Sequence, residues 1–253
     1  MKLVGGILSL FWKMYVGVIF TLTAVLYYPL IVPFLLKERS KKNAFRFFVA
    51  WSWTVRIFCM YFVVRKSKHE IPNGSFVIIA NHTSYLDIFL MYSMFPREPF
   101  IFLGKTEILK YPLIKTYFKH FNIPVDRSNS IKSARALVKA SKKVKEGWSL
   151  VIFPEGGIPD EDCPKMVPFK EGAFQLAKNM KVPILPITFM NNYRLFSDPT
   201  NILGPAHPGV SQVHIHPYIS VEAIEKMSQR ELSDHCFAII NAPILEKFPQ
   251  FKE

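Results

Sequence analysis

Phe76-Val77-Ile78-Ile79-Ala80-Asn81-His82-Thr83-Ser84-Tyr85-Leu86-Asp87 sets the architecture of this chain. Its first five residues are apolar without alternation, which reads as a strand buried on both faces. Polar residues follow at once, and Ser84-x-x-Asp87 has the spacing of a capping box, so a helix starts there and runs to about Met94. On one helix, five positions would set His82 and Asp87 about 140° apart in azimuth. They meet only if His82 stays outside the helix, in the strand-to-helix turn. There Asp87 would fix the imidazole tautomer and stabilise the cation formed when His82 accepts a proton. His82 and Asp87 are therefore the candidate catalytic pair; the plainer reading is a surface histidine beside a serine turn.

The same texture continues from Ile71 onward. Residues 100–103, 150–153 and 184–189 read as further buried strands, and 130–145 and 169–179 as helices between them. This alternation predicts an α/β domain with a mixed, largely parallel central sheet flanked by helices. Polar groups recur at the strand ends, where α/β proteins place ligand sites. Lys105 follows a strand and is a candidate phosphate contact. Asp126-Arg127-Ser128 follows the extended Ile123-Pro124-Val125, and the Arg127 guanidinium suits a phosphate clamped by two parallel hydrogen bonds. Phe153-Pro154-Glu155-Gly156-Gly157 turns out of a strand; its glycines allow close backbone approach, and Glu155 offers an acceptor to a substrate hydroxyl. Val182-Pro183-Ile184-Leu185-Pro186 carries no proton chemistry: Pro183 and Pro186 would line an apolar wall, or simply belong to a core strand.

The front of the chain reads differently. Met14 to Leu36 is 23 residues without a charge, enough to cross a hydrocarbon core of ~30 Å at ~1.5 Å per residue. Pro29 and Pro33 are expected to kink or end that helix. A second apolar block, Phe45 to Val64, contains Arg46 and Arg56. Between the blocks lies the basic Lys37-Glu38-Arg39-Ser40-Lys41-Lys42, which is expected on the cytoplasmic side. The division expected is a membrane-embedded two-helix anchor over 1–66 and an α/β domain over 67–253. A hairpin held in one leaflet keeps basic loop and domain on the same side; a single true span is the alternative.

Net charge is +13, from 32 basic and 19 acidic residues, and half of the chain is hydrophobic with 23 phenylalanines. That balance favours anionic, membrane-associated partners and gives no nucleic-acid motif. Cys59, Cys163 and Cys236 are too scattered for a disulfide framework or a zinc site. His214 and His216 share one face of a probable strand but lack a third ligand, so no metal is expected. The basic helix over 131–145 suits an acidic carrier protein or anionic headgroups, and equally a solvated face. Val221–Ile240 reads as a closing amphipathic helix.

Four blocks now stand in order: Asn81-His82-Thr83-Ser84-Tyr85-Leu86-Asp87, Val125-Asp126-Arg127-Ser128, Phe153-Pro154-Glu155-Gly156, and Val182-Pro183-Ile184-Leu185-Pro186-Ile187. Together they resemble the lysophosphatidic acid (1-acyl-sn-glycerol-3-phosphate) acyltransferase family of the glycerolipid acyltransferases, over about Phe76 to Phe189, with Phe169-Lys170-Glu171-Gly172-Ala173-Phe174 also fitting. The resemblance implies His82 as general base, Asp87 as its orienting partner, Arg127 as phosphate ligand, and Glu155 and Gly156 as the third-block acid and glycine. It implies acyl transfer to lysophosphatidic acid, forming phosphatidic acid in phospholipid biosynthesis. Acyl-CoA or acyl-acyl carrier protein would be co-substrate, with no bound cofactor, and the enzyme would sit on the cytoplasmic side of a membrane. Direct transfer agrees with the lack of a Gly-x-Ser-x-Gly nucleophile elbow. One departure stands out: Gly157-Ile158-Pro159 replaces the family's Thr-Arg-Ser. It motivates an alternative acceptor, a lyso-aminolipid of the ornithine or glycine type or another lysophospholipid. Chain length, donor and oligomeric state are not written in the sequence.

Overall fold

The computed structural model describes residues 2–67, 69–126, 130–159 and 163–251. Two helices open it, α1 (Lys2–Leu35) and α2 (Lys41–Phe58). At ~1.5 Å per residue α1 is about 50 Å long. Among the described residues it is the one helix long and apolar enough to cross a membrane. Pro29 and Pro33 lie inside α1 rather than ending it, on its exposed side, where neither ring intrudes on the packed face. That packed face is fastened by side chains. Trp12 Nε1 donates to Tyr61 Oη (2.9 Å), Trp51 Nε1 to Thr23 Oγ1 (2.9 Å), and Tyr117 Oη to the Ala24 carbonyl (2.8 Å).

Helix α2 is a packed helix. Phe45, Phe48, Trp51 and Val55, three or four residues apart, are buried, and Trp51 sits against the rings of Phe20, Phe89 and Tyr117. Arg56 does not face lipid: its guanidinium donates to the Tyr61 carbonyl (3.2 Å) and to Ser93 Oγ (3.0 Å). The second apolar block is thus helical only to Phe58. After Cys59 and Met60 it becomes a strand, which straddles the expected division at 66/67.

Among the described residues, seven strands form one sheet: β1 (Tyr61–Ser67), β2 (Val77–Ala80), β3 (Phe100–Lys105), β4 (Ile123–Val125), β5 (Ser149–Ile152), β6 (Ile184–Phe189) and β7 (Gly209–Ile215), in the order β1-β7-β6-β2-β5-β3-β4. All neighbours pair parallel except β6 and β7. The mixed, largely parallel sheet read from the sequence is the one observed. Helices α3 (Tyr85–Met94), α4 (Pro112–Phe121), α5 (Ser130–Lys145), α6 (Gly172–Met180) and α7 (Asn192–Leu195) connect the strands, and α8 (Val221–Lys226) and α9 (Gln229–Lys247) close the chain. The closing helix comes in two pieces because Ser228 and Glu231 form a capping box that starts a new helix.

Strand β2 lies at the centre with Val77, Ile78 and Ile79 fully buried, each worth about 1.5–3 kcal/mol relative to exposure. Because β2 to β6 all run the same way, their C-terminal ends share one edge of the sheet. Ala80, Lys105, Val125, Ile152 and Phe189 stand there side by side, so blocks far apart in sequence open onto one region.

Candidate active site

The turn after β2 is built by its own polar groups. Asn81 exchanges two bonds with Phe189, Nδ2 to the carbonyl (2.9 Å) and Oδ1 from the amide (2.7 Å), which ties the end of β2 to the end of β6. His82 stays outside the helix, as the spacing required. Ser84 caps α3 by accepting from the Leu86 amide (3.0 Å) and donates to the Phe196 carbonyl (2.5 Å). Asp87, in the first turn of α3, is fully buried. Its Oδ2 accepts from His82 Nδ1 (3.0 Å) and from the amides of Thr83 (2.7 Å) and Ser84 (2.9 Å); its Oδ1 accepts from Asn192 Nδ2 (2.6 Å). A carboxylate that only accepts requires the proton on His82 Nδ1, which leaves Nε2 with its lone pair. The imidazole stacks on Phe153, 4.1 Å between centroids and 17° between planes, so it is held by an apolar ring on one face.

Glu155 comes in behind this turn. Its Oε1 accepts from the His82 amide (2.7 Å) and its Oε2 from the Val167 amide (3.0 Å), and the residue is buried. Burial pushes its carboxyl up to about 7, against the pull of the Val167 and His82 amides, with the charge of Asp87 adding to the rise. Gly156 takes φ 89°, a left-handed conformation that a side chain would strain, and the turn depends on it. A Cβ at Gly157 would lie 3.0 Å from Lys105 Nζ, so the ammonium at the end of β3 rests over this turn.

Beside Lys105 opens a cavity of about 500 Å³ whose walls include Thr106, Glu107, Lys110, Asp126 and Lys170. Arg127, the expected phosphate clamp, lies outside the described residues. His82, Asp87, Lys105, Glu155 and Gly156 are therefore brought to one edge. Pro183 and Pro186 are not. Pro186 pairs with Ile79 inside the sheet, and Pro183 precedes β6, six residues from Phe189, or about 20 Å along an extended strand. Three residues near this edge were not singled out in the sequence: Lys110 and Lys170 in the cavity wall, and Asn192, which follows the last block with no motif of its own. His216, which shares a strand face with His214, is engaged by Thr188 Oγ1 (2.8 Å), which itself donates to the Ile240 carbonyl (2.7 Å).

Known proteins share sequence and fold with this chain. Residues 62–190 match the sequence model of the Acyltransferase family. The 1-acyl-sn-glycerol-3-phosphate acyltransferase of Borreliella burgdorferi is 30% identical over 193 residues, 75% of this chain and 73% of that protein. The Escherichia coli protein of the same name is 28% identical over 214 residues, 84% of each. A chloroplastic relative from Brassica napus is 29% identical over 188 residues, and the chain spans about half (53%) of its length. The crystal structure of the 1-acyl-sn-glycerophosphate acyltransferase PlsC from Thermotoga maritima superimposes with a TM-score of 0.78 over the whole of both chains, at 22% identity, a likeness of fold. With the Acyltransferase match covering half of its length and the Borreliella burgdorferi relative aligned over three quarters of it, the chain belongs to the 1-acyl-sn-glycerol-3-phosphate acyltransferase family.

Proposed function

We propose that this chain transfers a fatty acyl group from an acyl thioester to the free hydroxyl of 1-acyl-sn-glycerol-3-phosphate, releasing phosphatidic acid and a thiol. The observation that carries this reading is the His82–Asp87 pair, 3.0 Å apart and buried, at the sheet edge that also bears the lysine-walled cavity. His82 Nε2 takes the hydroxyl proton as that oxygen attacks the thioester carbonyl. The carbon–oxygen bond forms, the carbon–sulfur bond of the tetrahedral intermediate breaks, and the departing sulfur receives the proton from the imidazolium. Asp87 holds the ring and balances its transient charge. Lys105, Lys110 and Lys170 receive the acceptor's phosphate, a task the family resemblance also gives to Arg127. Glu155 and Gly156 shape the wall next to the base. The donor is acyl-CoA or acyl-acyl carrier protein.

The fastening of α1 supports a monotopic arrangement. Trp12, Thr23 and Ala24, spread over about 18 Å of helix axis, all bond to groups outside α1. A helix tied along its length to its own domain lies beside the bilayer face rather than passing alone through it. The exposed side, with Leu8, Phe11, Val18, Leu22 and Leu26 outward, enters one leaflet.

Gly157-Ile158-Pro159 supports a second acceptor, a lyso-aminolipid, because the family's motif arginine is missing there. Purified enzyme in detergent micelles, offered lysophosphatidic acid and a lyso-aminolipid together with each donor, separates the two. Phosphatidic acid as the dominant product is the expected result. A preference for the aminolipid would keep the base and overturn the glycerol-phosphate assignment.

A further inference from the structure

We propose that Asn192 is a positioning residue for the catalytic base, fixing the Asp87 carboxylate so that it keeps the Nδ1 proton of His82 in place. The inference rests on the reading of His82 as the general base. Three of the four bonds to Asp87 fall on Oδ2 and come from the neighbouring residues 82–84. The bond on Oδ1 comes from Asn192, 105 positions away on α7, at 2.6 Å. It holds the carboxylate from the side opposite to the turn, and so resists rotation of the group that aims the imidazole.

Asn192 is itself fully buried, so it touches neither solvent nor acceptor. Its own Oδ1 is buried without a hydrogen-bond partner among the described residues. Among the described residues its one side-chain bond is therefore the one to Asp87, and an apolar side chain of the same size would leave the buried Asp87 Oδ1 without that donor. The amide is placed to donate to Asp87, and its removal is felt first at the carboxylate that aims His82. The segment carrying it is firmly placed. Asn81 ties Phe189 to β2, Asn191 accepts from the Gln212 amide (2.8 Å) and donates to the Val210 carbonyl (2.9 Å), and the Phe196 carbonyl takes the Ser84 hydroxyl. The amide therefore reaches Asp87 from a segment anchored on both sides.

The test compares wild type, Asn192→Leu, Asn192→Ala and His82→Ala as full-length chains in detergent micelles, with lysophosphatidic acid and acyl-CoA, from pH 5 to 9. Leucine keeps the volume and removes the donor; alanine serves if leucine does not fold, which circular dichroism and thermal melting decide. The expected result is a fall in kcat of about tenfold or more with KM unchanged and the fold retained at the assay temperature, although the unpaired Asp87 Oδ1 lowers the melting midpoint somewhat. The acid limb of kcat/KM should also move upward, because without the amide dipole the His82–Asp87 pair holds its proton more tightly. The other titratable group against this pair, Glu155, is common to all variants and cancels in the comparison. Wild-type kcat with an unmoved limb would overturn the proposal. So would a loss of kcat that tracks a lowered melting midpoint while the limb stays put, since that is structural damage alone. If wild type is silent, or His82→Ala still turns over, the underlying assignment of the base fails instead.

Discussion

Glu155 links pH to the stability of this fold with a definite sign. Its ordinary value is 4.5 and burial in the native state raises it to about 7. A carboxyl that binds its proton more tightly when folded stabilises the native state below its unfolded value, and that stabilisation is lost as pH rises through the folded one. The window is therefore pH 4.5 to 7. At about 1.4 kcal/mol per pH unit the gap corresponds to roughly 3 kcal/mol, or a melting shift of about 10 °C for a chain of this length. Glu155→Gln keeps one carbonyl acceptor and does not titrate. The melting midpoint of wild type minus that of Glu155→Gln, followed in micelles from pH 4.5 to 8, should fall by about that amount across the window and level off above it. Histidine contributions are shared by both chains and cancel. A difference that stays flat, or rises with pH, would refute the burial argument. Activity should run the other way: a proton on either oxygen removes one of the two acceptors that join the His82 turn to Val167.

Other consequences are equally open to measurement. Gly104→Ala would place a Cβ 2.7 Å from the ring of Phe118, which is itself buried, so overpacking of about 1–3 kcal/mol should appear in thermal melts. His216 is held down at about 4 by burial and by the charges of His214 and His69, so its contribution is present above 6.5 and lost as pH falls toward 4. His216→Gln should flatten the decline of the melting midpoint over that range. Lys13 on α1 donates to Ser197 Oγ (2.8 Å) and to the Asn201 carbonyl (2.5 Å); Lys13→Met should speed proteolytic cleavage around 197–203 without moving the far-ultraviolet spectrum. Lys105→Ala should raise KM for lysophosphatidic acid about tenfold while sparing kcat, the signature of a lost phosphate contact.

The sequence was most legible where one local rule acted alone. Phe76–Ala80 is buried on both faces and reads as it folds, and Ser84 and Asp87 carry their capping spacing openly. The convergence of distant blocks followed from one physical fact, that parallel strands end along one edge. The strand β1 was hidden because nothing between Phe58 and Tyr61 is a glycine or proline. The chain turns there with Met60 at φ 49°, a conformation that residue type does not announce. The proline effect in α1 was overestimated because both rings point away from the packed face. Glu155 was visible as an acid at a turn, but not the two backbone amides that engage its oxygens. Asn192 was invisible for a related reason: its bond to Asp87 spans 105 residues, and only the packing of α7 against the first turn of α3 creates it.

The decisive experiment is single-turnover acyl transfer by wild type and His82→Ala, reading phosphatidic acid formed from lysophosphatidic acid and an acyl thioester. With His82 as general base, wild type forms phosphatidic acid without a covalent acyl-enzyme, and the variant loses about a thousandfold or more in rate while still binding lysophosphatidic acid. Transfer that survives in His82→Ala, or an acyl group trapped on the protein, would contradict direct transfer through the His82–Asp87 pair.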